Sequence, residues 1–212
     1  MIIIGALSGW QYPERRERCA TTWFSDARRL GMMPVFLMGR EGRETGIPAV
    51  LGGSGEMLFL DVPNGYPELP QRTRAFCRWA LEGDDWTYLF KCDDDSYVSA
   101  CRLAAYDTAG RDYIGAEWQP GVGYGSGGAG YFLSRKAAQI VAENLTEPTG
   151  AEDLLVGRLL ARAGIPLSIE PRLIAFGDDA HRPRRDNDIL TVHGVTAALF
   201  MAAHAEVGDA GL

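Results

Sequence analysis

Apolar residues in this chain fall into two alternating rhythms. Residues 2–7 (Ile-Ile-Ile-Gly-Ala-Leu), 33–38 and 57–60 are short unbroken apolar runs and read as strands. Residues 14–30 instead place Cys19, Trp23, Ala27 and Leu30 at helical spacing among arginines and acids, which predicts one amphipathic helix. The glycine-rich stretch 39–55 reads as loop. A second helix is expected over 71–82, with Phe76, Trp79 and Ala80 on one face and Gly83 closing it. The aromatic run 86–92 (Trp-Thr-Tyr-Leu-Phe-Lys-Cys) reads as a central strand. Beyond it the pattern gives a helix near 99–105, a strand at 113–116 and a glycine-rich passage at 121–130. A strand at 131–133 and helices at 135–143 and 152–163 follow, the second helix stopped by Gly164 and Pro166. A strand at 167–169, a polar basic loop at 178–188 and a final helix at 195–206 complete the chain. Strands interleaved with helices predict an α/β three-layer α/β/α sandwich with a mostly parallel central sheet. With 212 residues and no repeat or linker, a single domain is expected.

Composition narrows the chemistry. Hydrophobic residues make up 46% and charged residues 23%, which excludes intrinsic disorder. The formal net charge is −7, and only Lys91 and Lys136 are lysines, so the global field opposes a polyanion and nucleic acid is not an expected partner. No apolar run reaches the length that spans a bilayer, and the N-terminus lacks the basic flank of a signal peptide. Cys19, Cys77, Cys92 and Cys101 form no C-x-x-C pair, so reduced thiols and a cytoplasmic location are expected.

Three motifs carry candidate chemistry. Asp93-Asp94-Asp95 ends the aromatic strand, and the carboxyl ends of strands are where open α/β sheets bind ligands. Three adjacent carboxylates repel one another, and a hard divalent cation such as Mg²⁺ or Mn²⁺ relieves that repulsion; a solvated acidic turn has the same letters. Glu152-Asp153 opens a helix, where the dipole stabilises acids as simple caps, or where one carboxylate serves as a general base in a cleft. The run 124–131 (Tyr-Gly-Ser-Gly-Gly-Ala-Gly-Tyr) lacks the spacing of a dinucleotide or P-loop fingerprint, and its glycines suit close backbone approach to a flat polar ligand.

Taken in order, these pieces resemble the Fringe and β-1,3-galactosyltransferase family of glycosyltransferases. Arg15 ahead of Thr22-Trp23 resembles its Arg…Thr-Trp element. Asp61, Tyr66, Leu69 and Arg72-Thr73 resemble its Asp…Tyr…Asn-Leu…Lys-Thr segment, with Glu68 for Asn and Arg72 for Lys. The 93–98 run matches its Asp-Asp-Asp-x-Tyr-Val core, 126–135 its Gly-Gly-Ala-Gly-Tyr…Ser-Arg stretch, and Glu152-Asp153…Gly157 its acidic motif. The resemblance spans about residues 10–205. It implies a glycosyltransferase-A fold, a UDP-sugar donor, a carbohydrate or glycoconjugate acceptor, inversion at the anomeric carbon and a divalent metal, usually Mn²⁺.

Residue by residue, the resemblance implies Asp95 as metal ligand, completed by a late histidine, His193 with His181 as the rival. It implies Asp153 as base with Glu152 as second choice, and donor contacts from Arg15, Arg72, Asp93, Asp94, Gly127 and Gly128. Residues of about 1–100 would bind the nucleotide-sugar and about 101–212 the acceptor. The chain departs from the family in lacking a membrane anchor, luminal disulfides and an Arg at position 20, where Ala20 stands. A metal-dependent nucleotidyltransferase or phosphohydrolase, or a non-catalytic nucleotide-sugar-binding module, are the alternatives. Retention of both acidic motifs argues against the last, since a pure binder needs no base.

Overall fold

The computed structural model describes residues 1–40, 48–51 and 55–208. Its main sheet has eight strands in the order β3-β4-β2-β1-β5-β8-β7-β9. These are β1 (Ile2–Leu7), β2 (Met33–Arg40), β3 (Pro48–Leu51), β4 (Gly55–Pro63), β5 (Tyr88–Asp93), β7 (Tyr113–Gly115), β8 (Tyr131–Ser134) and β9 (Ser168–Ile169). Four of the seven pairings are parallel, β1 with β2, β1 with β5, β2 with β4 and β7 with β9; β3, and β8 on both its sides, run antiparallel.

The unbroken apolar strands are explained by what lies on each face. Ile4, Ala6, Phe36, Met38, Phe90 and Cys92 point into one buried layer, shared with α1 (Pro13–Thr21), α2 (Trp23–Arg29), α4 (Ala100–Ala104) and α7 (Ala197–Val207). Ile3, Leu7, Val35, Leu37 and Leu89 alternate with them into the opposite layer, against α3 (Leu69–Leu81), α5 (Arg135–Asn144) and α6 (Glu152–Arg162). Strands buried on both faces cannot alternate apolar with polar, and these do not. The mostly parallel three-layer sandwich expected from the sequence is the observed fold.

Three features differ from the sequence expectation. The single helix over 14–30 is two helices, broken at Thr22, whose backbone (φ −120°, ψ −111°) leaves the helical region. The Thr22 hydroxyl donates back to the Arg18 carbonyl at 2.5 Å, a local bond that competes with helix continuation. Part of the supposed loop over 39–55 is strand, since Pro48–Leu51 pairs antiparallel with β4; the rest of that stretch, apart from residues 39, 40 and 55, lies outside the described residues. A second sheet, β10 (Leu173–Ile174), β11 (Thr191–Val192) and β6 (Tyr97–Val98), is built from two-residue strands too short to show periodicity.

The order β2-β1-β5 positions the site. The chain leaves the carboxyl end of β1 toward β2 on one side, while β5 lies on the other, with Leu7 paired to Asp93. Ligands of open α/β sheets lie in the crevice at such a reversal.

Candidate active site

The acidic triplet begins at the last residue of β5. Asp93 and Asp94 are held in place by their backbone: the Asp94 N–H donates to the Leu7 carbonyl at 3.0 Å, and the Asp93 N–H to the Gly128 carbonyl at 3.3 Å. The Ser96 hydroxyl also donates to that Gly128 carbonyl, at 2.6 Å. Three peptide-level contacts thus clamp the acids between β1 and the glycine-rich loop, and the three side chains diverge.

Asp94 turns inward. It is 3% exposed, accepts from the Ser8 hydroxyl at 2.6 Å and from Arg15 at 3.2 Å, and burial raises its carboxyl above the usual range against the opposing pull of both partners. Asp95 and Asp93 face His193. Its Nε2 lies 3.3 Å from Asp95 Oδ1 and 4.0 Å from Asp93 Oδ2, and one ligand atom from each of the three residues falls within 4.8 Å of the others. Burial acts to raise the Asp95 carboxyl, but His193 and Arg15 outweigh it and hold it below the usual range.

His193 reaches this position through the small sheet. Antiparallel pairing sets Val192 opposite Tyr97, so the residue that follows β11 arrives over the triplet. Its Nδ1 lies 3.0 Å from the Ala175 carbonyl. A carbonyl only accepts, so Nδ1 carries a proton; in the neutral ring Nε2 then presents its lone pair to the acids, the arrangement of a metal-ligating histidine. His181 lies in the turn Asp179–His181 with Nδ1 2.6 Å from Asp178, and is not part of this group.

The donor set fits a divalent metal. It combines two carboxylates and an imidazole, and Asp95 Oδ1 is a buried oxygen that takes no hydrogen bond. Beside it opens a cleft of about 260 Å³, lined among others by Ser8, Tyr12, Arg15, Asn64, Tyr66 and Arg72. Arg15 donates to Asp94 and, at 2.9 Å, to Asp95, with its guanidinium 4.2 Å above the Tyr12 ring. Arg72 is 3% exposed and donates to the Ser8 and Gly65 carbonyls at 2.7 and 3.0 Å, tying the ends of β1 and β4 together. Asp61 lies away from the cleft, in an exposed ion pair with Arg40.

The second acidic motif splits in two. Glu152 is buried and bonded to Lys91 Nζ at 3.1 Å and to the Tyr131 hydroxyl. Asp153 is half-buried, its Oδ2 accepting from the Gly127 N–H at 3.3 Å and its Oδ1 from the Leu154 N–H at 2.8 Å. Sequence reasoning left out Lys91, Ser8 and Tyr131. Lys91 carried the one available signal, a lysine inside an otherwise apolar strand.

Comparison with known proteins places this geometry. Residues 14–111 match the galactosyltransferase family model. A Danio rerio UDP-GalNAc:β-1,3-N-acetylgalactosaminyltransferase 2 is 31% identical over 78 residues, 32% of this chain and 16% of the relative. A Xenopus laevis glycoprotein-N-acetylgalactosamine 3-β-galactosyltransferase 1 is 32% identical over 133 residues, 56% of this chain and 34% of the relative. Over these stretches the chain is similar to β-1,3-galactosyl- and β-1,3-N-acetylgalactosaminyltransferases. Neither match singles out Fringe, and the chain spans about a third or less of the length of these relatives. A glycosyltransferase involved in glycosylating the major capsid of PBCV-1 superposes with a TM-score of 0.59 at 13% identity, covering 96% of this chain and 98% of that one. A Drosophila β-1,4-galactosyltransferase 7 mutant, solved with manganese, UDP-Gal and xylobiose, gives 0.52 at 13% identity over 92% of this chain and 71% of that one. The fold of this chain is therefore glycosyltransferase-A. No helix among the described residues is long and apolar enough to cross a membrane.

Proposed function

We propose that the protein is a metal-dependent inverting glycosyltransferase. It moves a hexose of galactose or N-acetylhexosamine type from a UDP-sugar to a hydroxyl of a carbohydrate or glycoconjugate acceptor, forming a β-1,3 linkage. The observation that carries this reading is the convergence of Asp93, Asp95 and His193 beside a cleft walled by Arg15 and Arg72. A divalent ion held there, Mn²⁺ or Mg²⁺, supplies Lewis-acid neutralisation of the charge that grows on the UDP leaving group.

The chain's own residues do the rest. Arg15 bridges Asp94 and Asp95, favours their charged forms, and adds positive charge at the cleft wall. Gly127 and Gly128 bring backbone close to the acids; a Cβ at Gly128 would lie 2.4 Å from the His193 ring. Asp153, oriented by the Gly127 N–H, takes the proton from the acceptor hydroxyl as that oxygen attacks the anomeric carbon from the face opposite UDP. Inversion by direct displacement needs one base, and Glu152 is already committed to Lys91 and Tyr131. In this reading residues of about 1–100 bind the donor and about 101–212 the acceptor, within one domain. Cys19, Cys77, Cys92 and Cys101 are free thiols, which supports work in the reducing cytoplasm.

The test is calorimetric titration of UDP with and without Mn²⁺. The wild-type protein should bind UDP in a metal-dependent manner, and Asp95→Ala should lose that dependence at an unchanged melting temperature. Equal affinity in the two proteins would remove the metal assignment.

A further inference from the structure

Lys91 is the deepest charge in the molecule that the proposed reaction leaves without a task. It is 2% exposed in the middle of β5, between the apolar Phe90 and Cys92. Its Nζ donates to Asp93 Oδ1 at 3.2 Å, to the Gly127 carbonyl at 3.0 Å and to Glu152 Oε2 at 3.1 Å. The three donors of an ammonium therefore meet three acceptors on three different elements: the strand end, the glycine-rich loop and the start of α6.

A lysine that served only to fill space would be replaced at lower cost by a methionine, because burying an ammonium with two carboxylates carries a desolvation penalty. What the charge adds is direction. Gly127 is held from both sides, its carbonyl by Lys91 and its N–H by Asp153 Oδ2 at 3.3 Å. The junction is tight: a Cβ on Gly127 would stand 2.9 Å from both Lys91 Nζ and Glu152 Oε2. Lys91, the Gly127 peptide and Asp153 form one hydrogen-bonded chain, and Asp93 is bonded to its first member.

Resting on the reaction proposed above, we infer that Lys91 is a positioning residue. It fixes the carboxylate of Asp153 relative to the metal-facing acids by holding the Gly127 peptide and the first turn of α6 against the end of β5. It touches neither donor nor acceptor, and works through Gly127 and Glu152.

The test uses the full chain and two variants, Glu152→Gln alone and Lys91→Met combined with Glu152→Gln. The double variant removes both buried charges together and leaves Asp93, which is partly exposed to water, without its lysine partner; the melting temperature reports folding. Transfer to a hydroxyl acceptor is measured with hydrogen exchange at residues 126–128 and 152–155. In the double variant kcat should fall about 100-fold, the scale of a misplaced catalytic group, while the donor KM moves by less than about threefold. Exchange at those two segments should quicken about tenfold or more with β5 still protected, the sign of local opening rather than global loss.

Wild-type kcat and exchange in the double variant would overturn the inference. So would a donor KM rising in step with the loss of kcat, or a fall in Glu152→Gln alone as deep as in the double variant. If the wild-type chain transfers sugar from no UDP-sugar, the proposed reaction fails, and the exchange at 126–128 and 152–155 still decides the role of Lys91.

Discussion

Adding one methyl group at Gly128 tests the metal site without replacing any ligand. A Cβ there would stand 2.4 Å from Cε1 and Nε2 of His193 and 2.5 Å from Cδ2. Carbon contacts settle near 3.5 Å, so one partner must retreat by about 1 Å. The backbone is poorly placed to yield, because the Gly128 carbonyl accepts from both the Asp93 N–H and the Ser96 hydroxyl. The imidazole has to move, away from Asp95 Oδ1 and off its Ala175 contact. Disturbing the support of a metal ligand typically weakens affinity 10–100-fold, about 1.4–2.7 kcal/mol. Calorimetric titration of Mn²⁺ in the presence of UDP should show that loss in Gly128→Ala. In a His193→Ala background the same methyl should change nothing further, because the clash has no partner. Wild-type affinity in Gly128→Ala, or an equal further loss on top of His193→Ala, would refute the placement of His193 over the triplet.

Two further outcomes follow from the site. Asp153→Asn keeps the size and one of the two backbone hydrogen bonds but cannot take a proton, so sugar transfer should fall roughly 10²–10⁴-fold with UDP-sugar affinity within a few-fold; normal transfer would move the base elsewhere. Burial pulls the His193 imidazole down, but Asp95 and Asp93 outweigh it and raise it above its ordinary value. Metal binds only the neutral ring, so affinity should be full above that raised value and fall as pH drops through it, with proton release on binding. Without metal the sign reverses, since protonated His193 adds stability at low pH that is lost as pH rises through the same value. Calorimetry in two buffers of different ionisation enthalpy reads the proton release. It should vanish in His193→Ala and persist in His181→Ala; the opposite pattern would make the earlier histidine the ligand.

The sequence was most readable where one-dimensional pattern and burial coincide. Strands such as β1 and β5 are largely apolar on both faces because both faces are covered, and the acids after Cys92 announced the end of β5. The break at Thr22 was hidden because the apolar spacing runs through it; only the hydroxyl bonded back to Arg18 marks it. The choice between His193 and His181 was open in the sequence because it depends on pairing between Thr191-Val192 and Tyr97-Val98, a long-range register that two-residue strands do not advertise. Glu152 and Asp153 looked equivalent until Lys91 and Gly127 each claimed one of them.

The pairing of β6 with β11 also orders events during synthesis. Strands β1, β2, β4 and β5 lie in the first half of the chain, while His193 arrives only after β11 has been made. At translation rates of about 5–20 residues per second, the chain between Asp95 and His193 takes roughly 5–20 s to appear. During that interval a nascent molecule holds its acidic triplet without its imidazole. In the proposed reading, a complete ligand set for an ion therefore exists only once nearly the whole chain has been made. A ribosomal product cut short before Thr191 would include all eight strands of the main sheet but lack the imidazole of the candidate metal site.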